Sequence, residues 1–445
     1  MNRKKVLFYP KEPSEISRDE TAGRNVAKIA LVTLVLCAAF VASDFDWYTS
    51  TYPFFTVSAE VDQARMEAGN PARRMAMAAV GLLGVTLLLL SPRPRERNFC
   101  SRTQWLLGAY IAICFASIGW SDVPVLTAKR LVIFGLSIIG ILGVVRHLSV
   151  DDLMYSALAI GFTFLSVGVL AEISLGSLQP FAGDYRFAGT VHPNGQATAC
   201  ATLSIAALCI ANGQRRNKLL YWILFATGFL FLVLTKSRTS LAGCCFAIFA
   251  ASFLGGTSGL RKFLAVAPPF VCCAAMLTVS FLGYDVGGEL GQAASLGRDS
   301  EFSELGSFSG RLPLWKLLLE YVFQQPYLGY GYHSFWTAER MVAISSELYW
   351  TVPNAHSVPI DTLLQVGLIG AICFGLGILS GAGRLVRQCF INGTPASIFA
   401  LSMVLYSMVT SLMESGSADP TRFHFFITVC ALIREQKQPG ATASH

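Results

Sequence analysis

The sequence predicts an all-α integral membrane protein with about twelve transmembrane helices and one long outer loop. Three observations carry this. The chain of 445 residues is 53% hydrophobic and only 14% charged, where ordinary soluble domains carry roughly 25% charge. Apolar runs such as Ile29 to Ser43, Met75 to Leu90, Leu131 to Val145 and Leu219 to Thr235 are near the length of about 20 residues that crosses a hydrocarbon core. Finally, the 34 Lys and Arg favour alternate loops, the asymmetry that orients a multi-pass chain.

Taken in order, residues 1–25 form a polar cytoplasmic segment. No convincing small-residue cleavage site follows the first apolar run, so it reads as a retained helix and not a signal peptide. Residues 26–283 hold nine candidate spans, near 26–43, 75–91, 103–120, 126–145, 153–172, 196–212, 219–235, 239–256 and 263–283. Residues 284–358 form the long loop, 359–433 hold three more spans (near 359–380, 397–413 and 420–433), and 434–445 form a short tail. The runs PRPRERNFCSR and NGQRRNK are the best inside markers, and they place both termini in the cytoplasm. The 12 cysteines fall in predicted helices or on the inner side, which implies small core residues and no disulfide framework.

The long loop needs a reason, since ordered loops of this length are usually lids or binding elements. Its first part, GGELGQAASLGRDSEFSELGSFSG, is small and polar. Its middle sets Leu314, Trp315, Leu318, Leu319, Val322 and Phe323 largely on one face, with Lys316 and Glu320 on the other. That pattern predicts an amphipathic helix on the membrane surface or capping the bundle, ended by Pro326 and the glycines 329 and 331. No Walker-type sequence or fixed-period repeat is present, which argues against ATP-driven transport. The net charge of +7 lies in short loops beside helices, a topological pattern that does not suggest nucleic acid.

Four polar residues from distant parts of the chain share the predicted outer side: Arg186 in DYRFAGTVHPN, Arg238 in TKSRTS, Arg311 in SGRLPLW and His356 in NAHS. The arginine fork matches phosphate and stays charged when partly desolvated, so arginines converging at a membrane boundary suggest a diphosphate headgroup. Each also has a plainer reading: Arg238 snorkelling, Arg311 anchoring the amphipathic helix, Arg186 an ordinary loop charge, and the nearby His192 a structural turn residue. Pro359 suits a first helical turn, which puts His356 just outside a helix N-terminus. There the helix dipole and neighbouring arginines favour neutral imidazole, the form a general base needs; capping the helix or bonding a loop carbonyl is the alternative. One turn deeper, Asp361 shares a face with Gln365. Asp361 and Glu414, in MESGSADP, are candidates to assist His356 or to pair with an arginine. Asp44 and Asp46 form a D-x-D pair, a pattern too common to imply a metal, and neither metal nor cofactor is expected.

NAHSVPIDTLLQVGLIG fits a pattern of His, then Asn, Ser or Gln, then nine residues, then Gly-x-x-Gly, carried here by His356, Ser357, Gly367 and Gly370. This resembles the signature of the O-antigen ligase and O-antigen polymerase (Wzy-type) superfamily. RFAGTVHPNGQA, TKSRTSLAG, SGRLPLW and LGYGYHSFW resemble that superfamily's other recurring segments in the expected order, so the resemblance covers about residues 180–415. Together with the WS-D-P stretch from Trp120 to Pro124, the set looks most like exopolysaccharide polymerases of the ExoQ type. The Arg-x10-Gly pattern of some O-antigen polymerases is absent, because Ala197 and Val322 stand eleven residues after Arg186 and Arg311.

The resemblance implies a GT-C-like, metal-independent glycosyltransferase of the bacterial inner membrane. Its donor would be a polyprenyl-diphosphate-linked glycan, with Arg238 and Arg311 on the diphosphate, Arg186 assisting, and His356 as base or acceptor-orienting group. Repeat-unit polymerisation is the expected reaction and transfer to lipid A-core the close alternative, with chain-length regulators or export proteins as possible partners. A transporter or flippase fits the helix count, but transporters place their polar residues near mid-depth on broken helices, whereas these candidates gather at one interface.

Overall fold

The computed structural model describes residues 13–45, 70–90, 101–182, 185–214, 216–254 and 311–434. Among these residues the secondary structure is helical throughout. The elements are α1 (Pro13–Asp44), α2 (Pro71–Leu89), α3 (Arg102–Ala116), α4 (Pro124–His147), α5 (Val150–Ser174), α6 (Pro193–Gly213), α7 (Lys218–Leu234), α8 (Arg238–Leu254), α9 (Arg311–Gln324), α10 (Ala338–Leu348), α11 (Val358–Ile391), α12 (Pro395–Ser411) and α13 (Phe423–Ile433). Six of them are long and apolar enough to cross a membrane (α1 from Val26, α2, α4, α5, α6 and α11), while α7, α8, α12 and α13 are shorter apolar helices. This is an all-α membrane protein. The span expected near 263–283 and the polar first part of the long loop lie outside the described residues.

Helix starts follow the local sequence. Ser149 and Asp152 form a reciprocal capping box at α5, as do Ser101 and Gln104 at α3, each satisfying donors that the first helical turn leaves open. The core centres on α6 and α12, whose small and apolar residues are buried almost all round, including Ala197, Cys200, Leu203, Ala206, Phe399, Met403 and Tyr406. A helix without a polar stripe belongs inside a bundle. The nine described cysteines are free, and eight of them are buried. α2 and α4 meet at glycines: a Cβ on Gly143 would stand 2.6 Å from the Gly84 carbonyl oxygen. Small residues permit such close backbone approach in membrane helices.

The described part of the long loop, from residue 311 onward, folds back on the bundle. Leu314, Leu318 and Val322 of α9 are buried with Tyr330, Phe335, Trp336, Ile344, Val352 and Leu364 in a second core. The amphipathic helix therefore caps the bundle. Leu319 and Phe323, expected on the same buried face, are 38% and 76% exposed, because the inward row runs through every fourth residue from Leu314. Helix α10 was not anticipated from the sequence. It is a short surface helix with Ile344 as its buried residue.

Helix α11 extends past the expected 359–380 and breaks inside its span at Gly367 (φ 64°, ψ −169°), a region essentially open to glycine alone. The turn before α10 fills the break. Leu364 and Gln365 carbonyls accept from Tyr330 N (2.8 Å) and Gly331 N (2.9 Å), while Leu368 N and Ile369 N donate to the Pro326 and Tyr327 carbonyls (2.8 and 3.4 Å). Four backbone groups that an intact helix would pair internally are thus satisfied by a segment some forty positions earlier in the chain, as a buried break requires. A Cβ on Gly329 would stand 2.6 Å from the Leu364 oxygen, and one on Gly367 would fall on the Tyr327 carbonyl. Gly367→Ala is accordingly expected to cost about 3 kcal/mol from backbone strain and overlap together, read as a lowered thermal midpoint of the purified protein. An unchanged midpoint would mean the break is not required.

Candidate functional site

The break in α11 holds its first turns beneath the loop that carries His356. Ser357 is the helix N-cap, without a side-chain capping bond, and His356 precedes it in the left-handed region (φ 49°). Histidine tolerates that region better than most side chains. Its backbone N donates to Asn354 Oδ1 (2.9 Å), and Trp315 Nε1 donates to the Ala355 carbonyl (2.8 Å). Asp361 sits below. It accepts from Trp336 Nε1 (2.8 Å) and from Ala355 N (3.4 Å), and hydrogen-bonds the Ser415 side chain. Asp361 therefore holds the turn that presents His356, and among the described residues it makes no bond to the imidazole.

The His356 ring is half-buried, and neither ring nitrogen has a hydrogen-bond partner among the described residues. Among the described residues the ring makes no hydrogen bond to a helix end or a loop carbonyl. Burial first, and the Arg311 charge second, lower its pKa to about 4, so at neutral pH the ring is uncharged and able to accept a proton.

Arg311 opens α9. Its Nη2 donates to Glu414 Oε1 at 3.1 Å, a pair with both side chains less than a fifth exposed. Among the described residues Nε and Nη1 have no partner, which leaves the guanidinium donors to receive an anion. Glu414 also accepts from Asn194 Nδ2 (2.7 Å), and Asn194 Oδ1 accepts from Arg186 Nη2 (2.8 Å). Arg186 Nε donates to the Thr235 carbonyl (2.8 Å), three residues before Arg238 opens α8. Burial pushes the Glu414 carboxyl above its ordinary range, against the opposing pull of Arg311 and Arg186. Ser357 N donates to Ser415 Oγ (3.0 Å), which joins the His356 turn to the Glu414 segment.

Arg186, Arg311, Glu414, His356 and Asp361 are therefore brought into one neighbourhood, with Arg238 beginning the helix beside it. Glu414 pairs with arginine and not with His356. Two residues of the group escaped the sequence reading. Asn194 joins Arg186 to Glu414; its signal in the sequence is the HPN turn, where His192 serves as the α6 N-cap, accepting from Asn194 N (3.2 Å). Glu172, buried at the end of α5, accepts from Tyr185 Oη (2.5 Å), Ala188 N (3.0 Å) and Gly189 N (2.8 Å). It thereby shapes the loop that carries Arg186, and its signal was a carboxylate near the end of an otherwise apolar span.

Asp44 of the D-x-D pair is engaged by Arg422 (3.0 Å) and Arg73 (3.9 Å), which ties together the ends of α1, α2 and α13. Asp46 lies outside the described residues. Two apolar grooves lie away from the site, one of about 1170 Å³ between α1 and α5 and one of about 560 Å³ among α3, α4, α11 and α13. Neither is lined by Arg311 or His356.

Compared with known proteins, residues 223–375 match the family model described as O-antigen ligase, which supports the O-antigen ligase and polymerase superfamily read from the motifs. The matched stretch contains Arg238, Arg311, His356 and Asp361; Arg186 and Glu414 lie outside it. No curated protein matches the chain.

Proposed function

We propose that this protein is an inverting glycosyltransferase that uses polyprenyl-diphosphate-linked glycans and polymerises repeat units of an exopolysaccharide or O-antigen. The observation that carries this is the His356 ring beside Arg311, whose nitrogens have no hydrogen-bond partner among the described residues, within the stretch matched to the O-antigen ligase family. The diphosphate sits against the open donors of Arg311, with Arg238 and Arg186 adding positive charge. An acceptor sugar hydroxyl gives its proton to His356 as its oxygen attacks the anomeric carbon. The bond from that carbon to the diphosphate oxygen breaks with inversion, and the negative charge that develops on the leaving diphosphate is stabilised by preorganised arginines. Bound diphosphate also offsets the Arg311 charge felt by His356, which raises the imidazole pKa and makes it a better base when substrate is present.

In this reading the fold is GT-C-like with twelve spans, both termini are cytoplasmic, and residues 284–358 with the site face the periplasm of the inner membrane. Undecaprenyl diphosphate is the natural carrier, no metal or cofactor takes part, and chain-length regulators or export proteins are the expected partners. The family description favours a second reaction, transfer of the glycan to lipid A-core. Purified protein given a short polyprenyl-diphosphate oligosaccharide, with or without lipid A-core, tests the pair. A ladder of lipid-linked glycans from donor alone establishes the polymerase, and product that appears only with lipid A-core establishes the ligase. Absence of glycan transfer under both conditions overturns the proposal.

A further inference from the structure

Beside His356 lies Trp350, with Tyr349 next to it in the chain, and the transfer chemistry uses neither. Tyr349 ends α10 in the left-handed region (φ 60°, ψ 23°), a position that glycine or asparagine usually fills, and it is 95% exposed. A bulky side chain there is a conformational outlier that gains no burial. Trp350 follows, half-buried in contact with the second core, with its ring centroid 5.8 Å from that of His356 and the planes tilted by 37°. A bond from Val352 N to Ser345 Oγ (2.9 Å) closes the stretch that carries both rings, and farther on the Ala355 carbonyl accepts from Trp315 Nε1 (2.8 Å).

We propose that Tyr349 and Trp350 form a sugar-binding subsite that stacks a pyranose ring of the glycan next to His356. Aromatic faces carry negative quadrupole density, and the C–H bonds on one face of a pyranose present partial positive charge to them. Hydroxyl groups at the rim of the same sugar then lie toward the neutral imidazole. The subsite rests on the glycosyltransferase reading, and it adds where the carbohydrate is held, a task that the arginines, which face the diphosphate, do not perform. Exposed aromatic residues near a membrane also anchor proteins in the headgroup layer. The closeness of Trp350 to His356 favours the sugar.

The test uses the full chain in lipid nanodiscs and a fluorescently labelled oligosaccharide, released by mild acid from the lipid-linked pool of the cells that make the protein. Because this probe lacks lipid and diphosphate, its affinity reads sugar contacts alone, and binding is measured without turnover. Trp350→Ala and Tyr349→Ala are each expected to weaken binding about tenfold, and Trp350→Phe to keep near wild-type affinity. Tyr349 is too exposed for its truncation to threaten folding, so that variant remains decisive if Trp350→Ala is unstable. Wild-type affinity in Tyr349→Ala assigns these rings to the headgroup layer and overturns the subsite, as does failure of the wild-type protein to bind the oligosaccharide. A wild-type protein that binds it yet transfers no sugar from a lipid-linked donor retains the subsite and loses the glycosyltransferase reading.

Discussion

His356→Ala is expected to lower kcat by about 10²–10⁴-fold, the range a positioned general base supplies, while binding of the lipid-linked donor changes little. The separation follows from the contacts. Among the described residues no hydrogen bond to the His356 ring holds the fold together, and the turn is fixed through its backbone N on Asn354 and by the neighbouring Ala355. Removing the imidazole therefore takes away a proton acceptor and leaves the arginines in place. The pH profile sharpens the test. Neutral His356 is the active form, so activity is lost as pH falls through its pKa. In the donor-free enzyme that pKa is lowered to about 4 by burial and then by Arg311, and the acid limb of kcat/KM should lie well below the usual histidine range of about 6.5. Bound diphosphate cancels part of the Arg311 effect, so the acid limb of kcat should lie at higher pH than that of kcat/KM. Coincident limbs would remove the link between the bound anion and the base, and an alanine variant with wild-type turnover would end the general-base role.

How much of this was visible beforehand depended on how local each signal was. The apolar helices were legible because burial in lipid or in a bundle marks every residue of a run, and the start of α11 was legible because Pro359 marks a first turn. The break at Gly367 was not. Its cause is the turn from Pro326 to Gly331, which replaces the lost helix bonds from far along the chain, and a helical pattern read by itself gives no sign of such a partner. The inward face of α9 was only half right, because Leu319 and Phe323 are as apolar as Leu318 and the sequence does not say which row meets the second core. Arg186, Arg311, Glu414 and His356 could be grouped by predicted side of the membrane, but the order of their pairing could not. Asn194 and Glu172 resemble ordinary helix-terminal polar residues until their partners are in place. The same limit applies to Asp361, which the sequence offers as an assistant to His356 or a partner of an arginine and whose bonds are to Trp336, Ala355 and Ser415.

Arg311→Lys is expected to lower kcat/KM by about 10²–10³-fold, with kcat and donor KM both impaired, because the substitution keeps the charge and loses the fork. Arg311 commits Nη2 to Glu414 and offers its other donors in a fixed plane, so one guanidinium can hold the carboxylate and a phosphate oxygen together. A lysine ammonium is a point charge whose best position beside Glu414 is not its best position beside diphosphate. Near-wild-type turnover in this variant would show that charge alone suffices and would remove the planar phosphate contact. Arg311→Gln separates the two effects that the arginine exerts. It should abolish most donor binding, and by removing the second cause of the depressed His356 pKa it should move the acid limb of any residual kcat/KM upward. Burial is the larger cause and is unchanged, so the limb should remain below the usual histidine range. A limb that does not move would place Arg311 too far from the imidazole to influence it, and the diphosphate held there would then be too far away to tune the base.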